Sequence, residues 1–375
     1  MKKQLLPIAG VLALFLISEV FIAGTGRSAS EVKGEDSSVY RIYAPSFPDH
    51  MEFAGEKLPL EDFEVKERLD KEILVNTYWQ SNTFLMLKKA NRFFPQIEVL
   101  LKANGVPDDF KYLALAESGL SNVVSPAGAS GFWQFMDETG KKYGLEINDE
   151  VDERYDLDKS TLAACRYLKD SYASLKNWTL VAASYNMGLG GIKRQMENQS
   201  VDSYYDLYLN TETSRYLLRI MAIKQICQHP VQYGYSVKKE DLYAPLAVDK
   251  VPVDSAISSW PLFALQQGTN YKMIRTLNPW IRASSMKNKH KNTYYVSLPK
   301  NRGGKKSDDQ RKRLEEKSGG KVSGDSVFYH TVKSGETISV ISSKYKVKVQ
   351  QIVDWNGLPS TNVTIGQKLK IIKEQ

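Results

Sequence analysis

A long succession of helical patterns between residues 72 and 235 constrains the fold of this chain most. Apolar residues recur there at spacings of three and four, and the first pattern stops at Gly105 with Pro107 beyond it. Further patterns follow, separated by turn residues, in PDDFKYLALAES, DKSTLAACRYLKDSYASLKN, WTLVAASYNMG and SRYLLRIMAIKQICQH. We predict a compact all-α domain here and a mostly α fold class for the chain.

The flanking regions have different patterns. Residues 31–71 are mixed and charged, and we predict an N-terminal extension that wraps the helical domain. Residues 246–300 have short β-prone ends around a helical middle, and residues 327–373 have strand-like ends around two helical stretches. The latter order, β-α-α-β, is too short to hold a large active site. Residues 301–326 are basic and rich in glycine and serine, which predicts a flexible linker.

The N-terminus indicates export from the cytoplasm. Lys2 and Lys3 precede an apolar run from Leu5 to Gly24, and small residues follow that run. The run is close to the length of a membrane span, but Glu19 lies inside it. We therefore predict that residues 1–30 are a cleaved signal peptide, with a retained membrane anchor as the alternative. The expected location is the periplasm or cell envelope, with membrane association left open.

The formal net charge of +8 suggests an anionic partner. Residues 282–321 carry essentially the whole excess, and this basic stretch, which includes most of the linker, would favour anionic envelope polymers or a membrane surface. Basic residues do not interleave with aromatic residues on a predicted sheet, so we do not expect nucleic-acid binding.

Histidine and cysteine are too sparse to suggest a metal or a cofactor. The four histidines are scattered without the spacing of metal ligands, so no metal site and no cofactor are expected. Cys165 and Cys227 both lie in helical patterns. An exported protein permits a disulfide, and buried free thiols are equally compatible with these patterns.

The stretch from Leu113 to Met136, LALAESGLSNVVSPAGASGFWQFM, places Glu117 at the end of an apolar helix. Helix carbonyls there disfavour a carboxylate by about 0.3–1 kcal/mol, which is too little to keep it protonated near neutral pH. Burial against Phe132, Trp133 and neighbouring apolar residues would supply the remainder. We therefore predict that Glu117 is a general acid, with a solvated helix-end glutamate as the alternative.

Four motifs in order extend this interpretation. They are Glu117-Ser118-Gly119 with the loop Ser125–Met136, VDERYD at 151–156, AASYNMG at 182–188 and ETSRY at 212–216. With this order and spacing the chain resembles the lysozyme-like lytic transglycosylases of peptidoglycan, in the membrane-bound transglycosylase D branch. Residues 327–373 resemble a LysM module, on the strings TVKSGETI, YKVKVQQI, DWNGL and IGQKLKI. Residues 246–300 resemble a degenerate LysM-like unit that lacks the G-E-T step.

The resemblance implies an exported enzyme that cleaves the β-1,4 bond between N-acetylmuramic acid and N-acetylglucosamine in peptidoglycan glycan strands. Glu117 would be the single acid and base, and the muramoyl C6 hydroxyl would close a 1,6-anhydro ring. The substrate's own acetamido group would replace a second carboxylate, and the motifs offer none at a matched position. The resemblance also implies substrate-binding side chains at Ser118, Ser130, Gln134, Met136, Tyr185, Asn186 and Tyr216.

Two other functions remain open at this point. A hydrolytic muramidase on the same scaffold would differ only in using water as the attacking group. A non-catalytic wall-binding protein would depend on its LysM unit alone. The sequence does not distinguish endo from exo cleavage, and it does not indicate peptide-stem preference or oligomeric state.

Overall fold

The computed structural model of this chain describes residues 42–302 and 326–373. The predicted signal or anchor at residues 1–30 lies outside the described residues, and so does nearly all of the predicted linker. Within the two described ranges, no helix is both long and apolar enough to cross a membrane.

Helices run through residues 72–235 as predicted, and the first helix begins earlier, at Phe63, within the predicted extension. A short hairpin, β1 (Glu52–Phe53) and β2 (Glu56–Lys57), precedes eight helices: α1 (Phe63–Tyr78), α2 (Gln80–Ala103), α3 (Phe110–Ser118), α4 (Asp137–Lys142), α5 (Leu157–Leu175), α6 (Trp178–Met187), α7 (Leu189–Gln199) and α8 (Thr211–Gln228). Single 3-10 turns lie at Glu153–Tyr155, Tyr204–Asp206, Pro230–Tyr233 and Lys239–Asp241. The mostly α fold class is confirmed.

Local capping explains where several of these helices begin. Side-chain oxygens of Asp62, Asn177 and Asn210 accept hydrogen bonds from backbone N–H groups in the first turns of α1, α6 and α8. Such caps satisfy donors that have no partner within the helix. At α4 the first turn carries Asp137 and Glu138, whose charges suit the positive end of the helix dipole.

Helix α8 lies at the centre of the helical domain and packs against α1, α3 and α6. Its residues Leu217, Ile220 and Met221 are fully buried, so helices pack around it on several sides. The same hydrophobic core includes Phe53 of the hairpin and Leu69 of α1, both also fully buried. Residues from 51 to 71, which lie in the predicted extension, therefore contribute to the core of the helical domain.

Two small β-α-α-β units follow, as predicted. The first consists of β3 (Val248–Val253), α9 (Trp260–Gln266), α10 (Tyr271–Leu277) and β4 (Tyr294–Pro299). The second consists of β5 (Ser326–Thr331), α11 (Ile338–Tyr345), α12 (Val349–Asn356) and β6 (Lys368–Lys373). In each unit the two strands pair antiparallel, with Val253 opposite Tyr294 and Thr331 opposite Lys368. Each unit has its own small hydrophobic core.

The two cysteines are free thiols. Burial raises the pKa of Cys165 to about 11 and that of Cys227 to about 12. Both side chains therefore remain neutral at physiological pH and behave as small apolar residues. Of the two alternatives that the sequence left open, the structure has the free thiols.

Candidate active site

Helix α3 presents Glu117 in its last turn. Leu113, Ala114 and Leu115 are fully buried and anchor the helix in the core. The helix ends at Gly119, whose left-handed backbone (φ +56°) directs its N–H to the Leu115 carbonyl at 2.9 Å. Glycine adopts this conformation without a steric penalty, which ends the helix immediately after the glutamate.

The Glu117 carboxyl is largely withdrawn from water. Burial is the main cause that raises its pKa above the ordinary glutamate value. Two groups oppose this effect, since the Tyr216 hydroxyl and the Arg219 charge both lower the pKa of Glu117. The negative charge of Glu212 raises it further. Glu117 therefore has the environment of a carboxyl that holds its proton above the usual range.

Tyr216 contacts Glu117 directly. Its hydroxyl donates a hydrogen bond to the Oε1 atom of Glu117. Tyr216 is buried in α8, and burial together with the Glu117 charge raises the pKa of the tyrosine well above its usual value. The phenol therefore stays protonated and serves as a fixed donor to the carboxyl.

Arg219 follows Tyr216 on the same face of α8. Its Nη2 donates to the Ala116 carbonyl at 2.6 Å, and that carbonyl belongs to the last turn of α3. Carbonyls in a last turn have no partner within their helix, so Arg219 caps α3 beside Glu117. None of the four sequence motifs includes Arg219. The available signal was the i, i+3 spacing from Tyr216, which places both side chains on one side of α8.

The loop Ser125–Met136 folds back on itself and contacts the end of α3. Isolated bridges pair Val124 with Ser130 and Ser130 with Phe135. Gln134 has a left-handed backbone (φ +49°), and its Nε2 donates to the carbonyls of Gly131 and Val123 at 2.8 and 3.1 Å. Its side-chain amide therefore ties the loop together.

Met136 ends this loop. It is 44% exposed, so its side chain is available at the surface. Gln134 and Met136 both belong to this loop, which is hydrogen-bonded to the end of α3 through Ser118. Contact of either side chain with a substrate remains a prediction.

The two serines hold the loop and α3 together. Ser118 Oγ donates to the Phe132 carbonyl at 2.8 Å, which links the end of α3 to the loop. Ser130 is only 2% exposed, and its Oγ lies 3.3 Å from the Gly128 carbonyl. This geometry supports a positioning role for both residues. Their predicted contacts with substrate remain untested.

Tyr185 and Asn186 end α6 close to the same carboxyl. The Tyr185 hydroxyl donates to the Trp133 carbonyl at 2.8 Å, so its proton is directed to the loop and not to Glu117. After burial, the Glu117 charge is the next cause that raises the pKa of Tyr185, which shows that the two groups lie close together. Asn186 accepts from Thr213 Oγ1 at 2.7 Å and donates to Glu212 Oε1 at 3.3 Å.

Glu212 is a second carboxylate near Glu117, which the sequence analysis did not predict. It lies in the first turn of α8, is exposed, and its charge raises the pKa of Glu117. The ETSRY motif contained it, but nothing in that string shows that it approaches a residue on α3. The structure therefore brings one protonatable carboxyl, one tyrosine donor, one arginine and one further carboxylate to a single place.

The VDERYD motif contacts the active-site loop through Arg154. Arg154 binds Asp152 through two parallel hydrogen bonds of 2.9 and 2.7 Å, and its Nη1 donates to the carbonyls of Gly128 and Phe135. Gly131 packs so closely here that a Cβ would lie 1.9 Å from the Arg154 carbonyl oxygen. Only glycine fits at that position.

The described residues of this site do not form a set of metal ligands. Within residues 42–302 and 326–373, no group of His, Cys, Asp and Glu side chains is arranged to hold a metal ion. The site can move a proton at Glu117 and can offer hydrogen bonds to a polar ligand.

Comparison with known families defines the class of protein. Residues 96–207 match the transglycosylase SLT domain, residues 249–302 match the soluble lytic transglycosylase C-terminal LysM-like domain, and residues 330–371 match the LysM domain. The chain therefore contains an SLT-type transglycosylase domain followed by two LysM-type units. The predicted transglycosylase domain, LysM-like unit and LysM module are confirmed.

The chain is also similar to individual known proteins. The chain is 25% identical over 336 residues to membrane-bound lytic murein transglycosylase D of Escherichia coli strain K12, covering 85% of this chain and 72% of that protein. It is 55% identical over 42 residues to a probable endopeptidase p60 of Listeria innocua, covering 11% of this chain and 9% of that protein. An X-ray structure of an inactive mutant of lytic transglycosylase Slt from Pseudomonas aeruginosa matches with a TM-score of 0.29 and 18% identity, covering 40% of this chain and 26% of that one.

Proposed function

We propose that this enzyme cleaves the β-1,4 bond between N-acetylmuramic acid and N-acetylglucosamine in peptidoglycan, without consuming water. The observation that carries the proposal is the Glu117 carboxyl, which is withdrawn from water, has a raised pKa and accepts a hydrogen bond from Tyr216. This carboxyl lies within the segment that matches the transglycosylase SLT domain.

In the first step Glu117 acts as a general acid. Its proton passes to the glycosidic oxygen while the bond between that oxygen and C1 of the muramoyl sugar breaks. The bonding electrons leave with the oxygen, which becomes the hydroxyl of the departing N-acetylglucosamine. The carbonyl oxygen of the muramoyl acetamido group supports the electron-poor C1. Glu117 is left as a carboxylate, stabilised by the Tyr216 hydroxyl and by the nearby charge of Arg219.

In the second step the Glu117 carboxylate acts as the base. It removes the proton from the muramoyl C6 hydroxyl, and the C6 oxygen attacks C1 and displaces the acetamido oxygen. The product is a 1,6-anhydro ring, and Glu117 regains the proton with which it began. Because the C6 hydroxyl belongs to the bound sugar, its attack avoids the entropy cost of recruiting a water molecule.

A hydrolytic muramidase is the second candidate, and Glu212 is the observation that favours it. Ordinary glycosidases use two carboxyl groups, one of which activates water or forms a covalent intermediate. Glu212 is a second carboxylate close enough to raise the pKa of Glu117. It is also exposed and hydrogen-bonded to Asn186, so its geometry equally suits a residue that binds the sugar. The transglycosylase reaction needs no second acid, and we therefore place it first.

The LysM-type units supply the second part of the proposal. We infer that they bind glycan strands and keep the catalytic domain near polymeric substrate, since a tethered binding module raises the local concentration of its ligand. A purely wall-binding role for the whole chain is disfavoured by the intact acid site. The name of the Escherichia coli relative supports a place at the membrane or cell envelope. Attraction of the basic linker to anionic polymers or membranes remains a prediction.

Product analysis tests this proposal. Purified peptidoglycan would be digested in heavy-oxygen water, and the released muropeptides analysed by mass spectrometry. Transglycosylation predicts products that end in 1,6-anhydro-muramic acid, lighter by one water and without heavy oxygen. Reducing-end muramic acid that carries heavy oxygen would replace this assignment with the muramidase. The Glu117→Gln variant is the control, because any product that it releases comes from another source.

A further inference from the structure

The LysM-like unit, residues 249–302, shares one short segment with the catalytic domain. That segment is Val151–Tyr155, in the VDERYD motif. Val151 and Tyr155 are buried in the hydrophobic core of the LysM-like unit, together with Ile281 and Trp280. They are not part of the core of the helical domain. Two side chains of a catalytic motif therefore complete the core of a neighbouring unit.

Backbone contacts fasten the same segment to the LysM-like unit. Val151 pairs with Ile281 in an antiparallel bridge, and the Asp152 N–H donates to the Trp280 carbonyl at 2.9 Å. The Arg282 N–H donates to the Glu150 carbonyl at 2.8 Å. The Arg282 guanidinium also lies 4.6 Å from the centre of the Tyr155 ring. The start of the segment is thus paired with the backbone of that unit through an isolated β-bridge.

The side chains between Val151 and Tyr155 act on the active-site loop. Asp152 fixes the Arg154 guanidinium through two hydrogen bonds, and Arg154 reaches the carbonyls of Gly128 and Phe135 at 3.2 and 3.3 Å. These two bonds are near the upper limit of hydrogen-bond length, so a small shift of the segment breaks them. Arg154 is buried, and breaking them would take both of these acceptors from its Nη1, while the two carbonyls keep their hydrogen bonds from Ser130.

We propose that the LysM-like unit is a positioning element of the active site. By holding Val151–Tyr155 it fixes Arg154, and Arg154 fixes the loop that carries Gln134 and Met136. That loop is hydrogen-bonded to Ser118, the residue after Glu117. The unit thus acts on catalysis through the packing of this junction, in addition to any glycan that it binds. The part of this inference that concerns turnover rests on the proposed function, while the part that concerns loop order does not.

Two isoleucines of the LysM-like unit provide a matched test in the full-length chain. Ile281 and Ile274 are both fully buried in the core of that unit, but Ile281 lies at the junction and Ile274 lies on α10. Replacing either by alanine removes the same atoms from the same core. Amide hydrogen exchange of residues 123–136 reports loop order. The rate of cleavage of short soluble glycans reports turnover.

Ile281→Ala should speed exchange at the Ser125, Ser130 and Gly131 amides at least about fivefold and lower kcat/KM by a similar factor. Ile274→Ala should change neither, at equal loss of thermal stability. Should Ile281→Ala fold poorly, Arg154→Lys gives the same test from the other side, because lysine cannot replace the forked guanidinium. It should loosen the loop while exchange within residues 249–302 stays as in the wild type.

Two results would overturn the inference. One is an unchanged loop in Ile281→Ala or in Arg154→Lys. The other is equal loosening of the loop by Ile274→Ala, which would assign the effect to general destabilisation of the unit. If the wild-type chain released no product from any glycan, the proposed function would fail, and the exchange measurements would still decide whether the LysM-like unit orders the loop.

Discussion

The hydroxyl of Tyr216 on α8 donates a hydrogen bond to the Oε1 atom of Glu117 at the end of α3. Both helices are packed into the same core, so the carboxyl is held from two independent elements. The burial that anchors them also raises the pKa of Glu117. Fold stability and acid strength at this site therefore have a common physical origin.

Replacing Glu117 by glutamine removes the proposed acid while keeping its shape. We expect turnover of purified peptidoglycan to fall by about 10²–10⁴-fold or more, since one group serves both proton transfers. The measurement is the release of soluble muropeptides with time, with circular dichroism as the control for folding. Residual activity above about a tenth of the wild-type rate would remove Glu117 from this role.

The same substitution should stabilise the fold near neutral pH. The pKa of Glu117 is raised in the folded state, so folding favours the protonated carboxyl and loses stability as pH rises above the unfolded-state pKa. Glutamine cannot ionise, so the variant does not lose stability in this way as pH rises. We expect Glu117→Gln to raise the free energy of unfolding at pH 7 by on the order of 1 kcal/mol and to converge with the wild type in acid. Urea titrations at several pH values would measure the difference. A constant difference at every pH would contradict this account.

Replacing Arg219 and replacing Glu212 should shift the pH profile of kcat/KM in opposite directions. Activity is lost in alkali when the acid loses its proton, so the alkaline limb of kcat/KM follows the pKa of Glu117. The Arg219 charge lowers that pKa and the Glu212 charge raises it. Arg219→Gln should therefore move the limb to higher pH, and Glu212→Gln should move it to lower pH. Shifts in the same direction would show that the limb reports another group.

Tyr216→Phe should impair catalysis while leaving the helical core intact. It removes the hydrogen bond that stabilises the carboxylate formed when Glu117 gives up its proton, and hydrogen bonds to charged groups are worth about 1.5–3 kcal/mol. We expect kcat to fall by about 10- to 100-fold with little change in KM. A matched control is Tyr204→Phe, since that buried hydroxyl binds the Thr213 and Ser214 carbonyls at the start of α8 instead of the acid. If both variants lose activity equally, Tyr216 acts only by supporting α8.

The elements that the sequence predicted well depend on neighbours in the chain. The apolar period of α3, the glycine at position 119 and the β-α-α-β order of both C-terminal units are local features, set by spacing and backbone preference. The placement of Glu117 at a helix end follows from them directly. The family motifs added Tyr216, and the structure places its hydroxyl on the Glu117 carboxyl.

Only the tertiary structure decided what surrounds that carboxyl. Arg219 and Glu212 reach Glu117 because α8 packs across α3, and Val151 and Tyr155 enter the core of the LysM-like unit although they belong to a motif of the catalytic domain. Phe53 likewise joins the helical core from a charged segment that has no helical period. The sequence by itself determined the helices and the acid that α3 carries. The burial and the pKa of Glu117, and the support of the active-site loop, depend on contacts between residues that are distant in the sequence. The local periodicity of a helix does not show which of its faces will pack against another helix.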